Sequence, residues 1–318
     1  MRMGRAMSVR TLLVALLALA ATACANVTAP PSGDPAVTAV PATQAPTPRE
    51  RIAAFLETCE KWDEWDKPAP PFQILGNTWY VGTCGISSIL VTSPEGHVLI
   101  DNGTEKGAEI VLANIQAAGF EPKDVRYLLP SHEHFDHVGG LAKIREATGA
   151  QIVASSIAAQ VLRSGIASQD DPQAAMLDPM APVEVARVVG NGEVLQLGDL
   201  EFTAHATPGH TPGALSWTWT ACSNPGEPPI CRRVAYVDSL SPVSAVGYRF
   251  SDHPAYVAAF RTSIDRVRAL PCDELYTPHP SASGMIENLR TGQIASCTDY
   301  AAALTRKLDE RLAKEAAQ

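Results

Sequence analysis

The feature that most constrains this fold is a run of six residues, five of which can bind a metal: His132, Glu133, His134, Phe135, Asp136 and His137. So many imidazoles and carboxylates in a short span are costly to bury unless they are paired, hydrogen-bonded or bound to metal. Alternate residues of an extended segment point the same way. The spacing H-x-H-x-D-H therefore predicts that His132, His134 and Asp136 converge, while His137 turns to the other side. Such a geometry suits two adjacent metal ions.

Two other interpretations of this cluster are weaker. His132 and Glu133 begin the H-E-x-x-H pattern of a zinc-protease helix, but the fifth position holds Asp136 instead of histidine. A solvated polar loop is the second alternative, and it leaves the density of metal-binding residues unexplained. We therefore interpret the cluster as a metal site, with Glu133 as a solvated surface carboxylate that points away from the metals.

Two further histidines stand in loops that proline and glycine hold rigid. His210 lies within residues 207–213 (TPGHTPG), and His279 lies within residues 276–280 (YTPHP). Each loop follows a predicted strand, and flanking Pro and Gly fix the backbone direction that a rigid ligand needs. His97 is predicted at the surface, and His205 and His253 as local hydrogen-bond partners.

Composition and charge narrow the class of protein. The chain has 318 residues, of which 46% are hydrophobic and 19% charged, enough apolar material for a sizeable core. The net charge of −9, without a cluster of Lys and Arg, argues against a nucleic-acid surface.

The N-terminus is typical of an exported protein. Residues 1–23 carry three arginines and then a short apolar run, as a secretory signal peptide does. Small residues precede Cys24, so ordinary cleavage and lipid attachment at Cys24 both remain open. Residues 24–50 form a Pro/Ala/Thr-rich linker, a tether that favours an outer-membrane lipid anchor. We expect a periplasmic protein.

Cysteine usage agrees with export. If Cys24 is set aside, six cysteines remain, and an even number in an exported chain implies disulfides. Six cysteines allow fifteen connectivities. The simplest is nearest-neighbour pairing, which gives 59–84, 222–231 and 272–297. A cysteine zinc site is disfavoured because the sequence lacks C-x-x-C.

Hydrophobic periodicity predicts two β-rich halves, each followed by helices. Strands are predicted at 78–81, 87–91, 97–100, 125–129, 152–154, 183–188, 201–205, 215–220, 234–237 and 274–276. Helices are predicted at 51–64, 106–118, 139–148, 157–163, 254–269 and 297–316. Sheets packed face to face with helices outside would bury both faces of each strand. The histidine cluster follows a strand's carboxyl end, where ligand sites of layered α/β folds lie.

The ligand pattern resembles the metallo-β-lactamase superfamily over residues 51–318, which we predict as the catalytic domain. Three segments are similar to subclass B3 enzymes: residues 80–86 (YVGTCGI), 236–241 (YVDSLS) and 269–273 (ALPCD). The resemblance implies an αββα four-layer sandwich of α/β class with two zinc ions between the sheets. It assigns His132, His134 and His210 to the first zinc. It assigns Asp136, His137 and His279 to the second.

One position separates the candidate functions. Many superfamily members that hydrolyse esters, thioesters or lactones bridge both metals with an aspartate near Asp238. Neighbouring strand residues face opposite ways, so only one of Asp238 and Ser239 should face the metals. Alignment with the glyoxalase-type pattern G-D-T-L places Ser239 there, as in subclass B3. Asp238 is then predicted to hydrogen-bond a ligand loop.

The leading hypothesis is a zinc β-lactamase that confers antibiotic resistance, in which a metal-bound hydroxide attacks the β-lactam amide of penicillins, cephalosporins or carbapenems. Asp136 would orient the nucleophile, and Ser239 and Ser241 would contact the substrate by resemblance. Asp101, after a predicted strand, would support the ligand loop. The alternatives are hydrolysis of another ester, thioester or lactone and, more remotely, an exported metal-binding module. We predict a monomer.

Overall fold

Twelve strands form two sheets in the computed structural model, which describes residues 45–224, 226–228 and 230–317. The predicted signal peptide and Cys24 lie outside the described residues, as does most of the linker. The first sheet has the order β1-β2-β3-β4-β5-β6-β7. Its strands are β1 (Phe72–Leu75), β2 (Thr78–Tyr80), β3 (Ile89–Ser93), β4 (Gly96–Ile100), β5 (Val125–Leu129), β6 (Gln151–Ala154) and β7 (Arg187–Val188). Pairing is antiparallel from β1 to β4 and parallel from β4 to β7.

The second sheet has the order β12-β11-β10-β9-β8. Its strands are β8 (Val194–Leu197), β9 (Leu200–Ala206), β10 (Leu215–Cys222), β11 (Cys231–Tyr236) and β12 (Glu274–Tyr276). Pairing is antiparallel except between β11 and β12. Because this pair is parallel, the carboxyl ends of β11 and β12, at Tyr236 and Tyr276, lie at the same edge of the sheet.

Helices pack around the two sheets. They are α1 (Pro48–Thr58), α2 (Gly107–Ala117), α3 (Phe135–Val138), α4 (Leu141–Thr148), α5 (Ser156–Ser164), α6 (Pro254–Arg268), α7 (Met285–Thr291) and α8 (Cys297–Ala316). Helix α1 begins at Pro48, three residues before the predicted start. Thr47 and Glu50 form a reciprocal capping box around the first turn. In the described part of the chain, we find no helix with the length and hydrophobicity needed to cross a membrane.

Buried apolar residues fall into three layers, as a four-layer sandwich requires. The layer between the sheets includes Phe72, Tyr80, Phe202 and Trp217. A second layer joins the first sheet to α2, α4 and α5, and a third joins the second sheet to α6 and α8. The predicted αββα sandwich is therefore confirmed.

Disulfides link Cys59 to Cys84, Cys222 to Cys231, and Cys272 to Cys297. This is the nearest-neighbour pairing that the sequence predicts. The strand predicted over 183–188 is shorter, since only Arg187 and Val188 pair with β6. The helix predicted over 51–64 ends at Thr58.

Candidate metal centre

The predicted ligands all lie on segments that follow the carboxyl ends of strands. The histidine cluster follows β5, His210 follows β9, and His279 follows β12. Because the two sheets pack face to face, these loops meet at one edge of the sandwich. Residues far apart in sequence are thereby brought into one site.

Three imidazoles form a first cluster of donors. One ring nitrogen from each of His132, His134 and His210 lies within 4.8 Å of the others. All three side chains are buried. Three imidazoles in this arrangement form a ligand set that suits zinc.

A second cluster lies beside the first. Asp136 Oδ2 lies 3.0 Å from His137 Nε2 and 3.3 Å from His279 Nε2. The two Nε2 atoms are 3.4 Å apart. His132, Asp136 and His137 also offer donor atoms within 4.8 Å of one another, so the two clusters adjoin.

The expectation that His137 turns away from the other ligands is wrong. The chain is extended only as far as His134, whose φ and ψ are −83° and 149°. From Phe135 it forms the helical turn α3. Helical and extended segments present side chains with different periods, so Asp136 and His137 both face the site. The ring centroids of His132 and His137 lie 4.2 Å apart.

Each histidine of the first cluster has its outer nitrogen beside a fixed acceptor. Nδ1 of His132 lies 2.8 Å from Asp238 Oδ1, and Nε2 of His134 lies 2.9 Å from Asp171 Oδ2. Nδ1 of His210 lies 3.0 Å from the carbonyl oxygen and 3.0 Å from the hydroxyl of Ser241. Such contacts fix ring orientation and leave the inner nitrogen for a metal.

The second cluster is supported in the same way. Nδ1 of His137 lies 3.2 Å from Asp101 Oδ2, and Nδ1 of His279 lies 3.3 Å from the carbonyl oxygen of Gly85. Asp101 thus supports the ligand loop as the sequence predicts. It also accepts hydrogen bonds from the N–H and hydroxyl of Ser131, at 2.6 and 2.8 Å.

The protonation chemistry of the first cluster fits a metal. Burial, together with the neighbouring imidazoles, lowers the pKa of His210 to about 3 and the pKa of His132 well below its ordinary value. Both rings are therefore neutral at pH 7, the form that binds metal. The inner nitrogen of His132, Nε2, is buried without a hydrogen-bond partner. A bound cation would satisfy it.

In the second cluster, the carboxylate of Asp136 and the imidazole of His137 shift each other's pKa. Burial alone would raise the pKa of Asp136, but the imidazoles of His137 and His279 hold it well below its ordinary value. Burial alone would lower the pKa of His137, but the carboxylates of Asp136 and Asp101 raise it to about 10 without metal. A metal ion here would take the place of that proton.

Asp238 lies on the outer side of His132, as predicted for a hydrogen bond to a ligand loop. Its Oδ1 is beside Nδ1 of His132, the nitrogen opposite the cluster. Ser239 is buried with a hydroxyl that has no hydrogen-bond partner. Its carbonyl accepts a hydrogen bond from the Tyr300 hydroxyl at 3.0 Å. The hydroxyl of Ser241 lies against His210. Substrate contact by these two serines stays a prediction.

Two predictions about exposure are wrong. Glu133 is 2% exposed, because its carboxylate accepts hydrogen bonds from Thr211 and Gly213 of the His210 loop. His97 is 7% exposed and packs edge-on against Phe120. His205, in contrast, is a local hydrogen-bond partner as predicted, with Nε2 at 2.9 Å from the Thr218 hydroxyl.

Sequence reasoning missed the segment that follows α5. Asp171 is buried against His134, and the side-chain amide of Gln173 lies 3.5 Å from Nε2 of His210. The sequence signal was weak: Asp171 precedes a proline in a polar stretch typical of an exposed turn.

Comparisons with known proteins agree with this geometry. The sequence profile of the metallo-beta-lactamase superfamily matches residues 81–222. The solved MIM-1 metallo-β-lactamase from Novosphingobium pentaromativorans is 49% identical, with a TM-score of 0.80. The match covers 83% of this chain and 98% of that one. MEM-A1, a subclass B3 metallo-β-lactamase from a soil metagenome library, is 40% identical over 80% of this chain and 99% of its own, with a TM-score of 0.75.

Curated relatives are more distant. A hydroxyacylglutathione hydrolase from Anaeromyxobacter dehalogenans is 34% identical over 121 residues, 38% of this chain and 37% of that protein. The chain spans 30 to 43% of the length of the first three curated relatives. The long, high-identity matches are therefore those to the solved structures, and the chain belongs to the metallo-β-lactamase superfamily, within its subclass B3.

Proposed function

We propose that this chain is an exported zinc β-lactamase that hydrolyses the amide bond of penicillins, cephalosporins and carbapenems. The observation that carries the proposal is the pair of adjoining clusters, each of which offers three protein ligands. Three ligands leave a coordination position open, as in catalytic zinc sites, whereas structural zinc sites take four. The similarity to solved β-lactamases, over 80% or more of this chain, supports the substrate class.

Two zinc ions would be held by the two clusters. His132, His134 and His210 would hold the first, and the remaining ligands would hold the second: Asp136, His137 and His279. Bound zinc lowers the pKa of a coordinated water to about 7 and polarises a carbonyl, which supplies nucleophile and electrophile at neutral pH.

The protein's own groups would orient the reactants. Asp136 has its carboxylate between the two imidazoles of its cluster, and it would accept a hydrogen bond from the attacking water. Ser239 offers a buried hydroxyl without a partner, which would donate to a bound water or to the substrate. Ser241 would contact the substrate carboxylate through the hydroxyl that now lies beside His210.

Hydrolysis of a thioester or lactone is the second candidate, since a hydroxyacylglutathione hydrolase and an N-acyl homoserine lactonase are among the similar proteins. The position of Asp238 argues against it. In the bridging arrangement an aspartate stands between the metals, whereas Asp238 lies behind His132.

A turnover assay tests both candidates. Purified protein with zinc should hydrolyse a penicillin or a carbapenem, lose activity to a chelator and regain it with zinc. His210→Ala should abolish turnover, while the exposed His253→Ala serves as a matched control. Hydrolysis of acyl-glutathione or of an acyl-homoserine lactone, with none of β-lactams, would refute the proposal.

We also propose that the protein works in the periplasm as a monomer, anchored through a lipid on Cys24. Disulfides support an oxidising compartment. Expression in a susceptible host should raise resistance to β-lactams. Cys24→Ala should move the protein from the membrane fraction to the soluble periplasmic fraction, and an unchanged distribution would contradict lipidation.

A further inference from the structure

Glu133 is buried at the middle of the histidine cluster without facing it. The chain is extended at His134, so the side chain of Glu133 points away from the rings on either side. It points toward the loop that carries His210. An unpaired carboxylate is costly to bury, so its partners there matter.

Those partners belong to the His210 loop itself. Oε2 of Glu133 accepts a hydrogen bond from the Thr211 hydroxyl at 2.8 Å. Oε1 accepts one from the Gly213 N–H at 2.9 Å. Thr211 is fully buried. The carboxyl group of Glu133 thus links Thr211, the residue directly after the ligand His210, to Gly213 near the end of the loop.

The sequence of the loop allows this close approach. A Cβ on Gly213 would lie 2.6 Å from Oε1 of Glu133 and 2.6 Å from the Ala158 nitrogen. Any other residue would push the carboxylate away. Gly213 is also held from the other side, since its carbonyl accepts a hydrogen bond from the Ser155 hydroxyl at 2.6 Å.

We propose that Glu133 is a positioning residue that sets the distance between the two loops of the first metal site. His132 and His134 come from one loop and His210 from the other, and the carboxyl group of Glu133 is a hydrogen-bonding link between them. Loss of the link would let the His210 loop shift and would weaken the first site selectively. The inference rests on the proposed function only in taking this cluster as a zinc site.

Zinc affinity is the readout, measured by competition with a chromophoric chelator. Glu133→Gln keeps the shape but offers one acceptor oxygen in place of two. It should raise one of the two zinc dissociation constants about 10- to 100-fold, as changes to residues that support metal ligands do. The other constant should change less than about 3-fold. His210→Ala and His279→Ala identify which constant belongs to which cluster, and Glu133→Gln should affect the one that His210→Ala abolishes.

Two further variants keep the test decisive. Thr211→Val removes one hydrogen bond at constant shape, and its effect should add less than fully to that of Glu133→Gln, because the two side chains are in direct contact. If Glu133→Gln does not fold, Thr211→Val alone should weaken the same constant. The exposed Glu146→Gln is the matched control and should match the wild type.

A loss of stability without a selective loss of zinc affinity is the result that would contradict the proposal. Lower stability toward urea with both zinc constants unchanged, or weakened equally, would show a merely structural role and overturn the proposal. Because zinc binding is measured without substrate, the test stands even if the protein fails to hydrolyse β-lactams. Failure of the proposed function and failure of this inference are therefore separate outcomes.

Discussion

Asp101 connects both sheets to the metal centre, and its replacement by asparagine should weaken both stability and metal binding. It follows β4 with a left-handed φ of 54° and is fully buried. Oδ1 accepts from the Ser131 N–H, and Oδ2 accepts from the hydroxyls of Ser131 and Tyr236 and lies 3.2 Å from Nδ1 of His137.

The expected loss of stability follows from the number of oxygen acceptors that the side chain at position 101 offers. Asn tolerates a left-handed φ better than most residues, so Asp101→Asn leaves the backbone undisturbed. Its amide has one oxygen, so at least one of these hydrogen bonds is lost and an N–H donor faces another donor. A hydrogen bond to a charged group contributes about 1.5–3 kcal/mol. We expect the free energy of unfolding to fall by about 2–4 kcal/mol. Zinc affinity of the cluster that contains His137 should fall about 10- to 100-fold.

Two measurements on the wild type and on Asp101→Asn check the expected losses of stability and zinc affinity. Urea unfolding of the chelated protein gives the stability without metal, and chelator competition gives the zinc constants. The exposed Asp199→Asn is the matched control, with the same chemical change away from the site. A loss below about 0.5 kcal/mol, the size of a neutral surface substitution, together with an unchanged zinc constant for the His137 cluster, would refute the reasoning.

The remaining predictions concern stoichiometry, packing and pH. His210→Ala should bind one zinc fewer than wild type by elemental analysis; two zinc ions retained would contradict the ligand assignment. Tyr300→Phe loses a buried hydrogen bond to a backbone carbonyl and should destabilise the fold by about 1 kcal/mol in urea. Burial alone would raise the pKa of Glu315, but hydrogen bonds from Ser251 and Arg311 lower it to about 2 from 4.5. The ionised carboxylate therefore stabilises the fold above pH 4.5, and this contribution is lost as pH falls toward 2. Glu315→Gln should flatten the pH dependence of unfolding in that range, and an unchanged curve would contradict it.

The sequence predicted the parts of the fold in which local pattern and tertiary contacts agree. The buried strand β5 has the predicted bounds, 125–129, because a short apolar run next to Pro130 leaves little alternative. His210 and His279 stand out from the other histidines because Pro and Gly frame their loops. That these loops meet is a property of the sandwich, and the resemblance to a known family supplied it.

The errors have local physical causes. Alternation along 132–137 predicts an extended segment, but a single helical turn from Phe135 reverses the direction of His137. Burial of Glu133 depends on two donors about 80 residues away. The support that Asp171 gives His134 comes from a polar turn 37 residues away. Contacts of this kind leave no periodic trace in the sequence.

The support of the ligands decides how the site can work. The outer nitrogens of the five ligand histidines lie beside groups from different parts of the chain: Asp238, Asp171, Ser241, Asp101 and the carbonyl of Gly85. The last of these lies 194 residues from its partner His279. Each ring is therefore oriented by contacts within the folded sandwich, which leave its other nitrogen for a metal. For the same reason, changes far from the ligands in sequence should alter metal affinity without removing any ligand.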